Sequence, residues 1–178
     1  MPMPTRGLTE ATTAFVGLGA NLADPRKQVD QALAALERLP DCRLLARSRC
    51  YRTRPVGPQD QPAFVNAVAA LETQLNPLGL LAALQAIEQA QGRRRDGERW
   101  GPRTLDLDLL LFGDQRLQLP TLQVPHPRMA ERAFVLVPLC DLLPRLGLLS
   151  ETFEIPGAGR LEACLARLDL DVAGVEPL

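Results

Sequence analysis

Q-G-R-R-R-D-G-E-R-W-G-P-R-T-L-D-L-D-L-L-L-F, from Gln91 to Phe112, joins the end of an amphipathic helix to a strand too apolar to lie at an outer edge. Gly92 suits the left-handed position just past a helix end. From Leu105 to Phe112, alternation places Asp106 and Asp108 on one strand face with their Cα atoms about 6.5 Å apart. Two carboxylates so placed repel unless cations offset them. Magnesium takes a few carboxylates plus water and phosphate oxygens, which is the ligand set on offer. Ahead of the strand, Arg93, Arg94, Arg95, Arg99 and Arg103 supply forked guanidinium groups suited to phosphate oxygens. The stretch therefore points to a magnesium-bound polyphosphate.

Working outward, the helix before this loop starts at Asn76, a capping residue, with Pro77 at its first position. Its apolar positions Leu80, Leu81, Leu84 and Ile87 follow helical spacing. Before it, Ala63 to Thr73 alternates as a strand, with Phe64, Asn66, Val68 and Ala70 on one face and Val65, Ala67, Ala69 and Leu71 on the other. Arg54 to Pro62 carries three prolines and a glycine without periodicity, the pattern of a lid-like loop. Cys42 to Thr53 reads as one long strand, with Leu44, Ala46 and Cys50 inward and Arg43, Arg47, Arg49 and Tyr51 on a solvated face. Asp24 caps, and Pro25 opens, a helix that Pro40 stops. Thr13 to Gly19 is a short buried strand. On the far side of Phe112, Gly113-Asp114 makes a turn and Gln115 to Leu119 returns as a hairpin arm. A third helix covers Arg132 to Leu139, and Gly157 to Asp169 holds a short one. The order β-α-β-β-α-β is the α+β, ferredoxin-like arrangement, two helices over one face of a mainly antiparallel sheet, with extra helices at the C-terminal end.

Composition supports one domain over residues 1–178, with 1–12 as a loose extension. The 178 residues are 46% apolar, enough for a self-standing core, and the net charge is −1. Such a charge excludes a general nucleic-acid or membrane-surface binder. Lys27 is the only lysine, so arginine bias accounts for much of the basic content, though not for five arginines within eleven residues. Cys42, Cys50, Cys140 and Cys164 form no C-x-x-C pair. On one strand Cys42 and Cys50 stand about 26 Å apart, too far to bridge. With no signal or membrane-spanning run, the reading is a cytoplasmic protein, expected to be a monomer.

Several residues admit two readings. Phe64 and Asn66 are either core and strand-end residues or the platform and amide for a flat heteroaromatic ring, with Phe134 as the opposite wall. His126, the sole histidine, is either a loop residue or a hydrogen-bond donor to phosphate. Trp100 is either core or part of a closing lid. A basic loop on a ferredoxin-like sheet also outlines a non-catalytic RNA-binding domain, but the stacking aromatics of that module are absent. A two-metal nucleotidyl transferase or nuclease is the other alternative. It needs further carboxylates, and Glu88 is the one obvious extra.

R-W-G-P-R-T-L-D-L-D-L-L-L-F-G, Arg99 to Gly113, resembles the signature of the 6-hydroxymethyl-7,8-dihydropterin pyrophosphokinases of folate biosynthesis. G-A-N-L (Gly19 to Leu22), Y-R-T-x-P-V-G-P-Q-D-Q-P-x-F-V-N (Tyr51 to Asn66), I-E-Q-x-x-G-R-x-R (Ile87 to Arg95) and V-P-H-P-R-M-x-x-R-x-F (Val124 to Phe134) support it, and the likeness runs from Ala14 to Leu143. The resemblance implies transfer of pyrophosphate from ATP to the pterin hydroxymethyl group, with AMP leaving. It implies two magnesium ions on Asp106 and Asp108, and catalytic roles for those residues with Arg93 and Arg103. Arg95, His126 and Arg132 would neutralise phosphate, with Gln85, Glu88, Trp100 and Leu109 at the nucleotide site. Thr53, Val56 and Asn66 would bind the pterin between Phe64 and Phe134. The chain departs from the family pattern at Ala20, Thr121, Gln123 and Pro127.

Overall fold

The computed structural model describes residues 10–92 and 105–178. Strand β1 (Thr12–Ala20) turns Ala14, Val16, Leu18 and Ala20 to one side, and Phe15 to the other. Helix α1 (Pro25–Glu37) starts where the Asp24 carboxylate accepts the Lys27 N–H at 3.3 Å, and buries Val29, Ala32, Leu33 and Leu36.

The expected long strand from Cys42 to Thr53 is in fact two, β2 (Cys42–Arg47) and β3 (Tyr51–Thr53). Both pair antiparallel with β4 (Phe64–Thr73), β2 along Ala69–Thr73 and β3 along Phe64–Asn66. Ser48 makes the break. Its backbone N–H donates to the Val68 carbonyl at 2.8 Å, and its hydroxyl oxygen accepts the Val68 N–H at 2.9 Å. A side chain thus takes the place of a main-chain acceptor, and the strand leaves the ladder there. A bulge between Leu44 and Ala46 shifts the alternation as well. Leu44 and Cys50 therefore pack on the α1 side while Ala46 packs on the opposite side, and Tyr51, expected on the solvated face, is buried. All four cysteines are free.

Asn76 opens α2 (Pro77–Ala90) by accepting the Gly79 N–H at 2.8 Å, and Gly92 follows its end at φ +87°, as the sequence predicts. Strand β5 (Asp106–Phe112) pairs with β1, with one residue of bulge near Leu110. The arm after it does not fold back on β5. Instead β6 (Leu117–Leu119) pairs with β7 (Leu122–Val124) across the two-residue turn Pro120-Thr121, a closure that the short connection makes easier. Helix α3 (Ala133–Leu142) follows a 3₁₀ turn at Met129–Glu131 and runs three residues past the expected end. A small hairpin, β8 (Glu154–Ile155) and β9 (Gly159–Arg160), leads to α4 (Leu161–Ala166), the short helix expected in that region. Helix α5 (Leu170–Ala173) and strand β10 (Glu176–Pro177) complete the chain.

The sheet order is β10-β3-β4-β1-β5, with β2 also on β4, and every pairing is antiparallel. Among the described residues β5 is therefore an edge strand, against the expectation from its leucine run. That run is apolar because Leu107 and Leu109 pack with α2 and Leu110 with α3, rather than because strands flank it on both sides. Helices α1 and α2 cover the face carrying Val16, Leu18, Ala67, Ala69 and Leu107. Helix α3 covers the other, against Phe15, Val68, Ala70 and Leu110. The ferredoxin-like expectation thus holds, with a helix added on the second face. One end of that second face stays open beside the start of α3.

Candidate active site

A cleft of about 320 Å³ occupies this open end. Register explains its floor. Gly19 of β1 lies between Asn66 of β4 and Asp106 of β5, and Gly17 lies between Val68 and Asp108. With no side chain at either glycine, the carboxylates and the Asn66 amide border one hollow. A Cβ at Gly19 would stand 2.6 Å from Asn66 Oδ1, so any larger residue would displace that amide. Asn66 in turn donates through Nδ2 to Thr53 Oγ1 at 2.6 Å, and both residues are buried. The Thr53 hydroxyl, accepting there, keeps its own hydrogen for another partner.

The walls come from loops and α3. Phe64 and Phe134 both line the cleft, as do Val56 and Arg132, and the Arg132 guanidinium carbon lies 5.5 Å from the centre of the Phe134 ring. The Arg54–Pro62 loop is held from within: Gln59 Nε2 donates to the carbonyls of Pro55 (2.9 Å) and Gly57 (3.0 Å), and Gln61 Nε2 to that of Pro58. Buried Asn21 ties it to the end of β1 by donating to Gln61 Oε1 and the Pro62 carbonyl, each at 3.0 Å.

His126 enters through its main chain, whose N–H donates to the Leu110 carbonyl at 2.8 Å. Its Nδ1 accepts the Arg128 N–H at 3.2 Å, so the neutral ring carries its proton on Nε2, a donor for an anionic oxygen. Burial lowers its pKa to about 4, reinforced by Arg132 and Arg128 and opposed by Asp106. The ring is therefore neutral at pH 7. In the linkage sense, the neutral form contributes stability above the ordinary value of 6.5, and this is lost as pH falls through the window down to about 4. As the only histidine, it gives a single imidazole NMR signal. In protein free of metal and nucleotide that signal should titrate near pH 4; a midpoint near 6.5 would contradict the lowering of its pKa by partial burial.

Of the residues singled out from sequence, Thr53, Val56, Phe64, Asn66, Asp106, Asp108, His126, Arg132 and Phe134 all line this cleft. Leu109 does not. Its side chain points to the α1–α2 side and is 3% exposed. Gln85 and Glu88 lie on α2, which packs on that same side, with Glu88 buried. Thr121 and Gln123 sit on the β6–β7 hairpin, outside the cleft lining, whereas Pro127 lines it. Arg93, Arg94, Arg95, Arg99, Trp100 and Arg103 lie outside the described residues. Sequence reading missed Gly17 and Gly19 as a floor, though G-x-G on one strand face was visible. It also missed Arg128 and named Arg54 only as the start of the lid-like loop; both line the cleft. Among the described residues no three carboxylate, histidine or cysteine groups converge, so these residues offer a cation two carboxylates beside an open cleft. That fits an ion whose remaining ligands are water and phosphate oxygens.

A family model described as 7,8-dihydro-6-hydroxymethylpterin-pyrophosphokinase matches residues 15–144. The chain belongs to this family. As a dihydropterin pyrophosphokinase it is an enzyme that moves the pyrophosphoryl group of ATP onto a hydroxymethyldihydropterin in folate biosynthesis. It is 64% identical over 134 residues to the 2-amino-4-hydroxy-6-hydroxymethyldihydropteridine pyrophosphokinase of Pseudomonas aeruginosa, covering 75% of this chain and 82% of that one. Its identity to the enzyme of the same name from Haemophilus influenzae is 50% over 130 residues, 73% of this chain and 81% of that one. Among solved structures, wild-type HPPK-DHPS of Plasmodium falciparum with pterin and p-hydroxybenzoate shares the fold, with a TM-score of 0.65 at 14% identity over 89% of this pyrophosphokinase. This chain spans 42% of that longer one.

Proposed function

We propose that the cleft holds both reacting ends at once, the pterin between Phe64 and Phe134 and the ATP phosphates at Asp106 and Asp108. One observation carries this reading: the Thr53–Asn66 pair, the two phenylalanines and the two carboxylates line a single cleft. The Asn66 amide and the Thr53 hydroxyl present the donors and acceptors that a pterin edge requires, and the rings supply flat apolar walls. Asp106 and Asp108 would hold two magnesium ions, which when bound draw charge from the phosphate oxygens.

The remaining residues position and neutralise. The pterin hydroxymethyl oxygen forms a bond to the β-phosphorus of ATP, the bond from that phosphorus to the α–β bridging oxygen breaks, and AMP leaves with that oxygen while the hydroxyl proton is released. Arg132 and the Nε2–H of His126, which line the cleft, are assigned to the phosphates together with Arg93, Arg95 and Arg103 by the family pattern. Gln85, Glu88, Trp100 and Leu109 are assigned to the nucleotide on the same basis. Such a transfer needs alignment and charge stabilisation and no covalent step on the protein. The proposal extends to a monomer acting in the cytoplasm on small molecules, without nucleic-acid or membrane partners. No helix among the described residues is long and apolar enough to cross a membrane.

Incubation with ATP, magnesium and 6-hydroxymethyl-7,8-dihydropterin should yield AMP and pyrophosphorylated pterin in equal amounts by phosphorus NMR. Chelation should stop the reaction, and added magnesium should restore it. Formation of ADP, or turnover unaffected by chelation, would overturn the proposal.

A further inference from the structure

Strand β3, three residues from Tyr51 to Thr53, brings Thr53 to the cleft. Thr53 bonds Asn66, and the next residues, Arg54 and Val56, begin the loop along the cleft. A strand this short, paired on one side only, opens readily. Here its outer edge is covered by residues 170–178, which lie beyond the family match at residues 15–144. Glu176 pairs with Arg52 and Pro177 with Tyr51. On either side of that pairing, the Leu178 N–H donates to the Cys50 carbonyl at 3.0 Å and the Arg54 N–H to the Ala173 carbonyl at 3.4 Å. The main chain from Cys50 to Arg54 is thereby clamped at both ends.

The contact reaches side chains too. Gly174, at φ +59°, lies beneath the Arg54 stem: a Cβ there would stand 2.7 Å from Nε and 2.9 Å from Cδ and Cγ. Only glycine fits that left-handed, closely approached position at low cost. The segment adds little to the core. Helix α5 buries no residue, and Leu170, Val172 and Leu178 are 43%, 68% and 51% exposed. Its contacts are concentrated on β3, Arg54 and α3, the helix that bears Phe134.

We propose that residues 170–178 form a positioning strap that sets acceptor affinity, by holding Thr53 against Asn66 and fixing the base of the loop that presents Val56. The proposal rests on the reading of Thr53, Val56 and Asn66 as the pterin site. The strap itself touches neither substrate. Its role is to reduce the backbone ordering that pterin binding would otherwise require.

Two variants of the 178-residue protein test it: Gly174→Val, and deletion of residues 174–178, none of which is buried. Each should raise KM for the pterin about tenfold, the scale of reordering about one backbone residue on binding. At saturating pterin kcat should stay within about twofold, as expected when only ground-state positioning is lost. KM for ATP should not move, and amide exchange at residues 51–54 should accelerate. If the point variant folds poorly, the deletion supplies the answer. An unchanged pterin KM would overturn the strap, as would a parallel rise in both KM values with a lower melting temperature, the mark of general destabilisation. Phe64→Ala separates the two levels. If it raises pterin KM while the strap variants do not, the strap fails and the pocket reading stands; if it too has no effect, the pocket reading falls and the strap with it.

Discussion

Asp108→Ala, and separately Asp106→Ala, should lower turnover by about 10³-fold or more, because charge stabilisation is the main service this protein renders to phosphoryl transfer. Both carboxylates line the cleft from one face of β5, with Gly17 and Gly19 beside them, and no third ligand among the described residues substitutes for a lost one. The fold should survive. Removing one of two like charges from a shared face relieves repulsion, and neither residue belongs to the buried apolar clusters. Steady-state AMP formation together with a thermal melt checks both halves. Calorimetry with magnesium and a non-hydrolysable ATP analogue should show weakened binding in each variant. A residual rate within tenfold of the parent would remove these residues from the metal role, and a collapsed melting curve would show a structural one.

Asn66→Ala should reduce kcat/KM for the pterin by about 10²- to 10³-fold while the affinity for the ATP analogue stays within about twofold, since a site built to hydrogen-bond its ligand loses heavily when one polar partner is missing. The truncation acts twice. It removes the amide from the cleft, and it takes from the buried Thr53 hydroxyl the donor it meets at 2.6 Å. Phe64→Ala removes a stacking wall alone and should cost less, about tenfold to a hundredfold in pterin KM, on the scale of aromatic–base stacking. A loss shared equally between pterin and ATP would place Asn66 in the general architecture rather than at the acceptor.

Much of this was legible in the chain because it depends on local chemistry. Caps at Asp24 and Asn76, prolines after each, and the stripes on α1 and α2 define helices by short-range rules, and the structure places them where those rules predict. The alternation of β4 likewise separates Val68 and Ala70 from Val65, Ala67, Ala69 and Leu71. Errors arose where a distant partner overrode a local period. Ser48 breaks the predicted strand because Val68, twenty residues away, accepts and donates to it. The arm after Gly113 pairs forward with β7 because that closure is tighter than a return to β5. Strand β10 has two residues and no pattern of its own, and exists because β3 offers a free edge.

The same division holds for the active site. Residue type, spacing and family signature were sufficient to name the fold class and nine of the residues that line the cleft, Asp106 and Asp108 among them, because charge, aromaticity and two-residue alternation are properties of the chain itself. Tertiary structure alone set Gly17 and Gly19 between the carboxylates and Asn66, turned Leu109 to the helical side, half-buried His126 and so lowered its pKa, and laid residues 170–178 along β3. Each of these depends on cross-strand register or on burial by distant segments, and such long-range packing terms leave no periodic trace in the sequence.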